Sequence, residues 1–290
     1  MKHFPESELI VNPDGSIFHL HLKPEQLSDK VVLVGDPERV SLIASNFDSI
    51  ECEVSNREFH SITGSYKGKR ITALSHGIGT DNIDIVINEL DALVNIDLKT
   101  RTEKPEFKQL TLIRVGTSGG LQPFLKVGSY CIAEKSIGLD SVLSYYKGRD
   151  DISEQDFEEA FMAQIGWNPR WGTPYVVSAD PELVTRFDGV ENVTRGVTIS
   201  AVGFYGPQGR ELRLPLADPN INQKIEAFRH NDHCITNYEM ESSALAALSK
   251  LMGHKAMTIC TIIANRLAKE ATSNYKNSVS DLIKLVLDKI

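Results

Sequence analysis

Four short stretches of this chain hold the side chains from which chemistry could be built. Gly35-Asp36-Pro37-Glu38-Arg39 places a glycine, which lets backbone approach a ligand closely, near an arginine able to fork onto an anion. Alone, it reads first as a strand-to-helix turn with a surface arginine. Arg114-Val115-Gly116-Thr117-Ser118-Gly119-Gly120 sets a guanidinium inside an apolar strand, where an unpartnered charge is costly. Two hydroxyls and backbone N–H groups follow and could cradle an oxyanion, although a tight turn with a structural ion pair fits the same string. The glycine spacing is neither that of a Walker A loop nor a G-x-G-x-x-G fingerprint. Asn237-Tyr238-Glu239-Met240-Glu241-Ser242 brings two carboxylates to an expected helix start, where acids are favoured. Two residues apart, they should point to different faces. One could pair structurally while the other accepts hydroxyl hydrogens. Phe204-Tyr205-Gly206-Pro207-Gln208-Gly209-Arg210 offers an aromatic to stack on a flat ring, an amide that both donates and accepts, and a cation. A Gly-Pro surface loop would look the same.

These stretches sit among alternating elements. Short apolar runs predict strands over 31–34, 71–75, 110–115, 197–202 and 256–263. Ile83, Val86, Ile87, Leu90 and Leu93 recur at helical spacing behind Asp81 or Asn82 as a cap. Further helices are expected over 239–251 and 278–290. The alternation implies an α/β fold, with a ligand site where glycine-rich turns collect at strand carboxyl ends. No linker, repeat or low-complexity tract divides residues 1–290, which read as one domain. The stretch 150–174, acidic at first and then rich in Trp, Pro and Gly, reads as a surface excursion or lid.

Composition narrows the function classes. The 290 residues are 41% hydrophobic and 24% charged, ordinary for a soluble globular protein. A net charge of −8 disfavours nucleic-acid binding. No apolar run is long enough to span a bilayer, and no signal-peptide pattern opens the chain, so a cytoplasmic location without membrane contact is expected. Cys52, Cys131, Cys234 and Cys260 are widely spaced and read as free thiols. His19-x-His21 and the run from His230 to Cys234 contain ligand types, but no H-E-x-x-H pattern, so no metal site is expected.

The strings GDPER, SNREFHSITG, SHGIGTDN, IRVGTSGG, FYGPQGR, NYEMESSAL and IIANRL occur in that order over residues 17–267. Together they resemble the uridine phosphorylases of the nucleoside phosphorylase family. The resemblance implies a three-layer α/β/α sandwich around a mixed, partly barrel-like sheet. It implies a phosphate site of Gly35, Arg39, Arg114 and Thr117, with Arg57 supplied by a neighbouring subunit. His19 would also cross from the neighbour, toward the ribose 5′-hydroxyl. Glu241 would hold the ribose hydroxyls, with Met240 on the sugar and Glu239 nearby. Phe204, Gln208 and Arg210 would grip uracil, and Arg266 would support its far edge. Arg114, Gln208 and Arg210 would carry the catalysis. Residues 264–266 (Ala-Asn-Arg) lack the Asp that purine-cleaving relatives often place after the corresponding strand.

The implied partners are uridine and phosphate, with a homodimer at minimum and a hexamer allowed. No cofactor is expected, since phosphate is a co-substrate; a structural potassium near Glu58 and Ile78 is a family feature. A purine nucleoside phosphorylase, a nucleoside hydrolase and a non-catalytic nucleoside-binding regulator are the competing readings. Preference among uridine, deoxyuridine and thymidine is left open. Departures from the family pattern are the long stretch 99–106, Asn82 in place of a small hydroxyl residue, and a poor match over 136–179.

Overall fold

The run Val31-Val32-Leu33-Val34 has no polar side, and the structure shows why. The structure, a computed structural model, describes residues 2–265, 270–271 and 275–290. In it Lys30–Val34 forms β1, paired in parallel on both sides, so both of its faces are covered. Val31 and Leu33 enter one core and Val32 and Val34 the other. The strand then turns into the helix α1 (Pro37–Ala44), capped by Asp36 Oδ1, which accepts from the Glu38 amide at 3.0 Å. A meander follows: β2 (Ser49–Asn56), β3 (Phe59–Tyr66) and β4 (Lys69–Ser75). Then comes α2 (Thr80–Asn95). Its N-cap is Gly79 rather than Asp81 or Asn82, because the chain turns there at φ +96°, a conformation that glycine adopts freely.

The remaining main elements are β5 (Thr111–Gly120), β6 (Tyr130–Gly138), α3 (Gln155–Ile165), β7 (Tyr175–Ser178) and β8 (Val193–Ser200). They are followed by β9 (His233–Glu239), α4 (Ser242–Leu251), β10 (Lys255–Asn265) and α5 (Lys276–Lys289). The sheet runs β9-β8-β6-β10-β5-β1-β4-β3-β2, and β9 also pairs with β5. That extra pairing closes a ring of five strands, β5, β10, β6, β8 and β9, while β1 to β4 extend as an open sheet. The sheet is mixed: β1, β4, β5 and β10 are parallel, whereas β10 meets β6 antiparallel. α2 and α4 share one core with one face of β1, and α1 and α5 share the other core with its opposite face. This is the expected α/β/α layering.

Three expectations need correction. β5 does not stop at Val115; it continues through Gly120, because β10 on one side and β9 on the other supply its backbone partners. Glu239 belongs to β9, and α4 begins only at Ser242. The stretch expected as a lid contains α3, whose Phe157, Phe161 and Ile165 are buried in a third core with Phe228 and Ile235, while Trp167 and Trp171 pack against it. Asp156 and Glu159 are on the solvent side of this amphipathic helix, whereas Glu158 is buried, pairing with Arg149 and accepting from the Val176 amide.

Candidate active site

Arg114 lies in β5 opposite Leu33 of β1 and Thr258 of β10, buried to 4% exposure. Its charge is met from several sides. Nη1 donates to Glu239 Oε2 at 2.9 Å, Nη2 donates to Glu241 Oε2, and Nε donates to His76 Nε2 at 3.1 Å. The Cys260 sulfur also lies 3.9 Å from Nη1. Burial by itself would weaken the guanidinium's hold on its proton, but Glu241 and Glu239 outweigh it and keep Arg114 charged.

The two carboxylates reach one arginine because they leave different elements. Glu239 ends β9, whereas Glu241 is the N-cap of α4 at φ −141°. Helical spacing, which would have separated them, does not apply. Glu239 is saturated by protein donors. Oε1 accepts from the Ser200 and Ser242 hydroxyls at 2.6 and 2.8 Å, and Oε2 accepts from the Glu241 and Ser242 amides, both at 2.9 Å. The resemblance places Glu239 beside the sugar; in the structure both of its oxygens accept from protein donors, Arg114 among them. Glu241 uses Oε1 to accept from the Gly79 amide at 2.7 Å, at the N-terminus of α2. Burial raises its pKa, with Glu239 adding to the effect and Arg114 opposing it.

His76 follows β4 directly and is fully buried. Its amide donates to Val34 O at 2.8 Å, which ties it to the end of β1. Burial, followed by the charge of Arg114, holds its pKa well below the usual histidine value; the nearby Gly77 backbone opposes them, and Arg39 acts in the lowering direction. The imidazole is therefore neutral and faces both arginines. A Cβ on Gly35 would stand 3.1 Å from Gly77 O and 3.8 Å from His76 Cε1, so only glycine leaves this corner open. Arg39 lies one turn into α1, its side chain 15% exposed and 3.9 Å from Asp36. It is thus not a simple surface arginine. Sequence reasoning quoted His76 in a motif but gave it no role; its place at a strand's carboxyl end was the available signal.

The hydroxyls after Arg114 divide. Ser118 donates to Tyr238 O at 2.6 Å and accepts from Asn237 Nδ2 at 2.7 Å, so it braces β5 against β9. Thr117, in register with Thr261 of β10, is half-buried. The segment expected as a turn is strand, and Gly35 and His76 follow the ends of the neighbouring strands β1 and β4.

On the loop after β8, the Arg210 guanidinium lies 3.9 Å from the Phe204 ring centroid. It donates to Phe204 O at 2.6 Å and to Gln208 Oε1. A Cβ on Gly119 would lie 3.9 Å from Arg210 Nη2, which puts this loop over the far end of β5. Phe204 is half-exposed and Gln208 is buried. Met240 is half-buried between the two glutamates. Arg266 lies outside the described residues.

His19 and Arg57 both lie beside Phe18. His19 Nδ1 is 2.6 Å from Glu89 Oε1, and the His19 carbonyl accepts from Asn56 Nδ2 at 2.8 Å. Arg57, exposed in the β2–β3 turn at φ +55°, lies 6.0 Å from the Phe18 ring centroid. Glu58 and Ile78, where potassium was considered, are both exposed. Among the described residues, no group of three or more His, Cys, Asp or Glu is placed to hold a metal. His230 and His233 instead pack on Phe157. All four cysteines are free, and Cys131 and Cys260 are buried. No helix among the described residues is long and apolar enough to cross a membrane.

Comparison with known proteins decides the family, because the sequence profile of the phosphorylase superfamily matches residues 29–290. The chain belongs to the phosphorylase superfamily. It is similar to a uridine phosphorylase of Thermococcus kodakarensis, 29% identical over 92% of this chain and 84% of that protein. It is also similar to a DeoD-type purine nucleoside phosphorylase of Levilactobacillus brevis, 27% identical over 93% and 97% of the two chains. Among solved structures it resembles a Trypanosoma brucei nucleoside phosphorylase described as showing uridine phosphorylase activity, with a TM-score of 0.87, 28% identity, and 97% and 98% of the two chains covered.

Proposed function

We propose that this chain catalyses the reversible phosphorolysis of uridine to uracil and ribose 1-phosphate, a reaction of pyrimidine salvage. The observation that carries this reading is the layout along β5. Arg114 is held at one end by Glu239, Glu241 and His76, and Arg210 reaches Gly119 near the other. In this reading an anion subsite and a ring subsite share one strand.

Phosphate would lie among Gly35, Arg39, Thr117 and Arg114, with Arg57 from a second copy. Glu241 would accept the ribose hydroxyls, with Met240 on the sugar and the second copy's His19 at the 5′-hydroxyl. As the C1′–N1 bond breaks, its electron pair leaves with uracil and the sugar becomes oxocarbenium-like. A phosphate oxygen then forms the new bond to C1′. Arginines holding the anion in line lower the orientation cost. Gln208 and Arg210 stabilise the charge that develops on the base, and Phe204 stacks on its ring. Phosphate is a co-substrate, no step uses a cofactor, and the active unit is at least a dimer.

The DeoD-type relative keeps purine nucleosides as the second reading. The deciding experiment is a phosphate-dependent panel of uridine, thymidine, cytidine and inosine, with product analysis. Uridine turnover yielding ribose 1-phosphate is expected. Preference for inosine would overturn the base assignment, and free ribose formed without phosphate would overturn phosphorolysis.

A further inference from the structure

Near Arg114, two buried side-chain atoms lack a protein partner among the described residues: Thr258 Oγ1, in register with the arginine on β10, and a nitrogen of His76. His76 Nδ1 is buried and makes no hydrogen bond. The other ring nitrogen, Nε2, accepts from Arg114 Nε, which requires it to be unprotonated. A neutral imidazole with Nε2 as acceptor carries its proton on Nδ1. The buried orphan is therefore a donor, and leaving a buried donor unsatisfied is costly. The ring borders the corner kept open by Gly35, and it feels the charges of both Arg114 and Arg39. A donor at that place, beside two cations, suits an anionic oxygen.

We propose that His76 is a further phosphate-binding residue, whose Nε2 accepts from Arg114 while its Nδ1–H donates to an oxygen of the bound phosphate. This assignment rests on the phosphorolysis reading above. It adds a neutral ring donor beside the cations of Arg114 and Arg39. The arrangement is self-consistent: the arginine that binds the anion also sets the tautomer that helps bind it. Protonation of His76 would place a third cation at this corner and remove the acceptor from Arg114 Nε. Glu239 and Glu241 lie on the far side of the guanidinium, where both already pair with it.

His76→Gln separates the two nitrogens. Its side-chain oxygen can reach the Nε2 position and accept from Arg114, but nothing replaces the Nδ1–H. Binding of inorganic phosphate to the enzyme without nucleoside should weaken about tenfold, while the KM for uridine stays within about threefold. Wild-type phosphate affinity in a folded His76→Gln protein would overturn the proposal, because a purely structural role is restored by the acceptor alone. If the variant does not fold, ¹⁵N NMR of histidine-labelled wild-type protein decides. A neutral Nδ1–H tautomer whose Nδ1 resonance moves on adding inorganic phosphate supports the role, and an Nε2–H tautomer or an unmoved resonance sinks it. Wild-type protein without phosphate-dependent turnover would bring down the underlying reading as well. Normal turnover with an unaltered variant brings down His76 alone.

Discussion

At the scale of single residues, the site is a buried charge balance. Arg114 carries one positive charge against two carboxylates, one of which is saturated by five protein donors. Removing Glu239 leaves that guanidinium short of a partner in a dry interior. Glu239→Ala should therefore lower stability by about 3–5 kcal/mol, read as a shifted urea midpoint. A loss below about 1 kcal/mol would mean that the pair is not buried as described. Arg114→Ala should cost on the order of 2–4 kcal/mol in kcat/KM for phosphate. Near-normal phosphate use would remove the arginine from the site. His76 adds a dependence on pH. Its pKa in the folded protein lies well below the usual 6.5, so the unfolded chain takes up this proton first. Its contribution to stability is complete above pH 6.5 and is lost as pH falls from there toward the folded value. Between pH 7 and 5.5, wild-type stability should fall more steeply than that of His76→Gln, by up to the slope of one proton in a chemical-denaturation series. Parallel slopes would mean that His76 is not buried neutral.

At the scale of elements, strand continuity matters more than turns. β5 passes its glycines through the sheet, and their missing side chains make room for other groups. A Cβ on Gly116 would stand 2.8 Å from both Arg114 Nη1 and Cys260 Sγ. Gly116→Ala must therefore displace the guanidinium. Overpacking of this kind costs about 1–3 kcal/mol in stability. The larger expected effect is a weakening of phosphate use by about tenfold or more, with the KM for uridine less affected. Steady-state kinetics with each substrate varied in turn would check it, and an unchanged phosphate KM would count against Arg114 as its ligand. The same reasoning explains why Glu239 and Glu241 converge. A strand end and a helix cap turn the chain between them, which regular helix geometry would not.

At the scale of the whole molecule, the closed ring holds Arg114, Glu239 and the end of β8, while the open part of the sheet presents Gly35, Arg39 and His76. His19 pairs with Glu89, and Arg57 is exposed. In the proposed reading both serve the site of a second copy. Two inactive variants, Arg57→Ala and Arg114→Ala, should then complement each other. Randomly reassembled dimers would place both defects in one site of each mixed dimer and leave the other intact, restoring about a quarter of wild-type activity. A mixture as inactive as its components would show that each chain completes its own site.

Several features were legible from residues alone. The strands at 31–34 and 71–75 are apolar throughout, because both faces of a parallel strand are covered. α2 shows its buried stripe at helical spacing. Arg114 stood out because a charge in an apolar run demands partners. The ordered motifs pointed to the family that the profile match then established. Other features depended on distance across the fold. Nothing local says that β5 continues to Gly120, since that extension rests on partners more than a hundred residues away. The convergence of Glu239 and Glu241 on Arg114 depends on where β9 stops and α4 starts. The acidic stretch around residue 155 looked like surface because its charges are plain in the sequence, whereas its buried Phe157 and Phe161 matter only once Phe228 packs beside them. His76 is one more histidine in the chain until β1, β4 and β5 lie side by side. Only then does it become a neutral ring between two arginines, because burial and neighbouring charge are properties of the assembled fold.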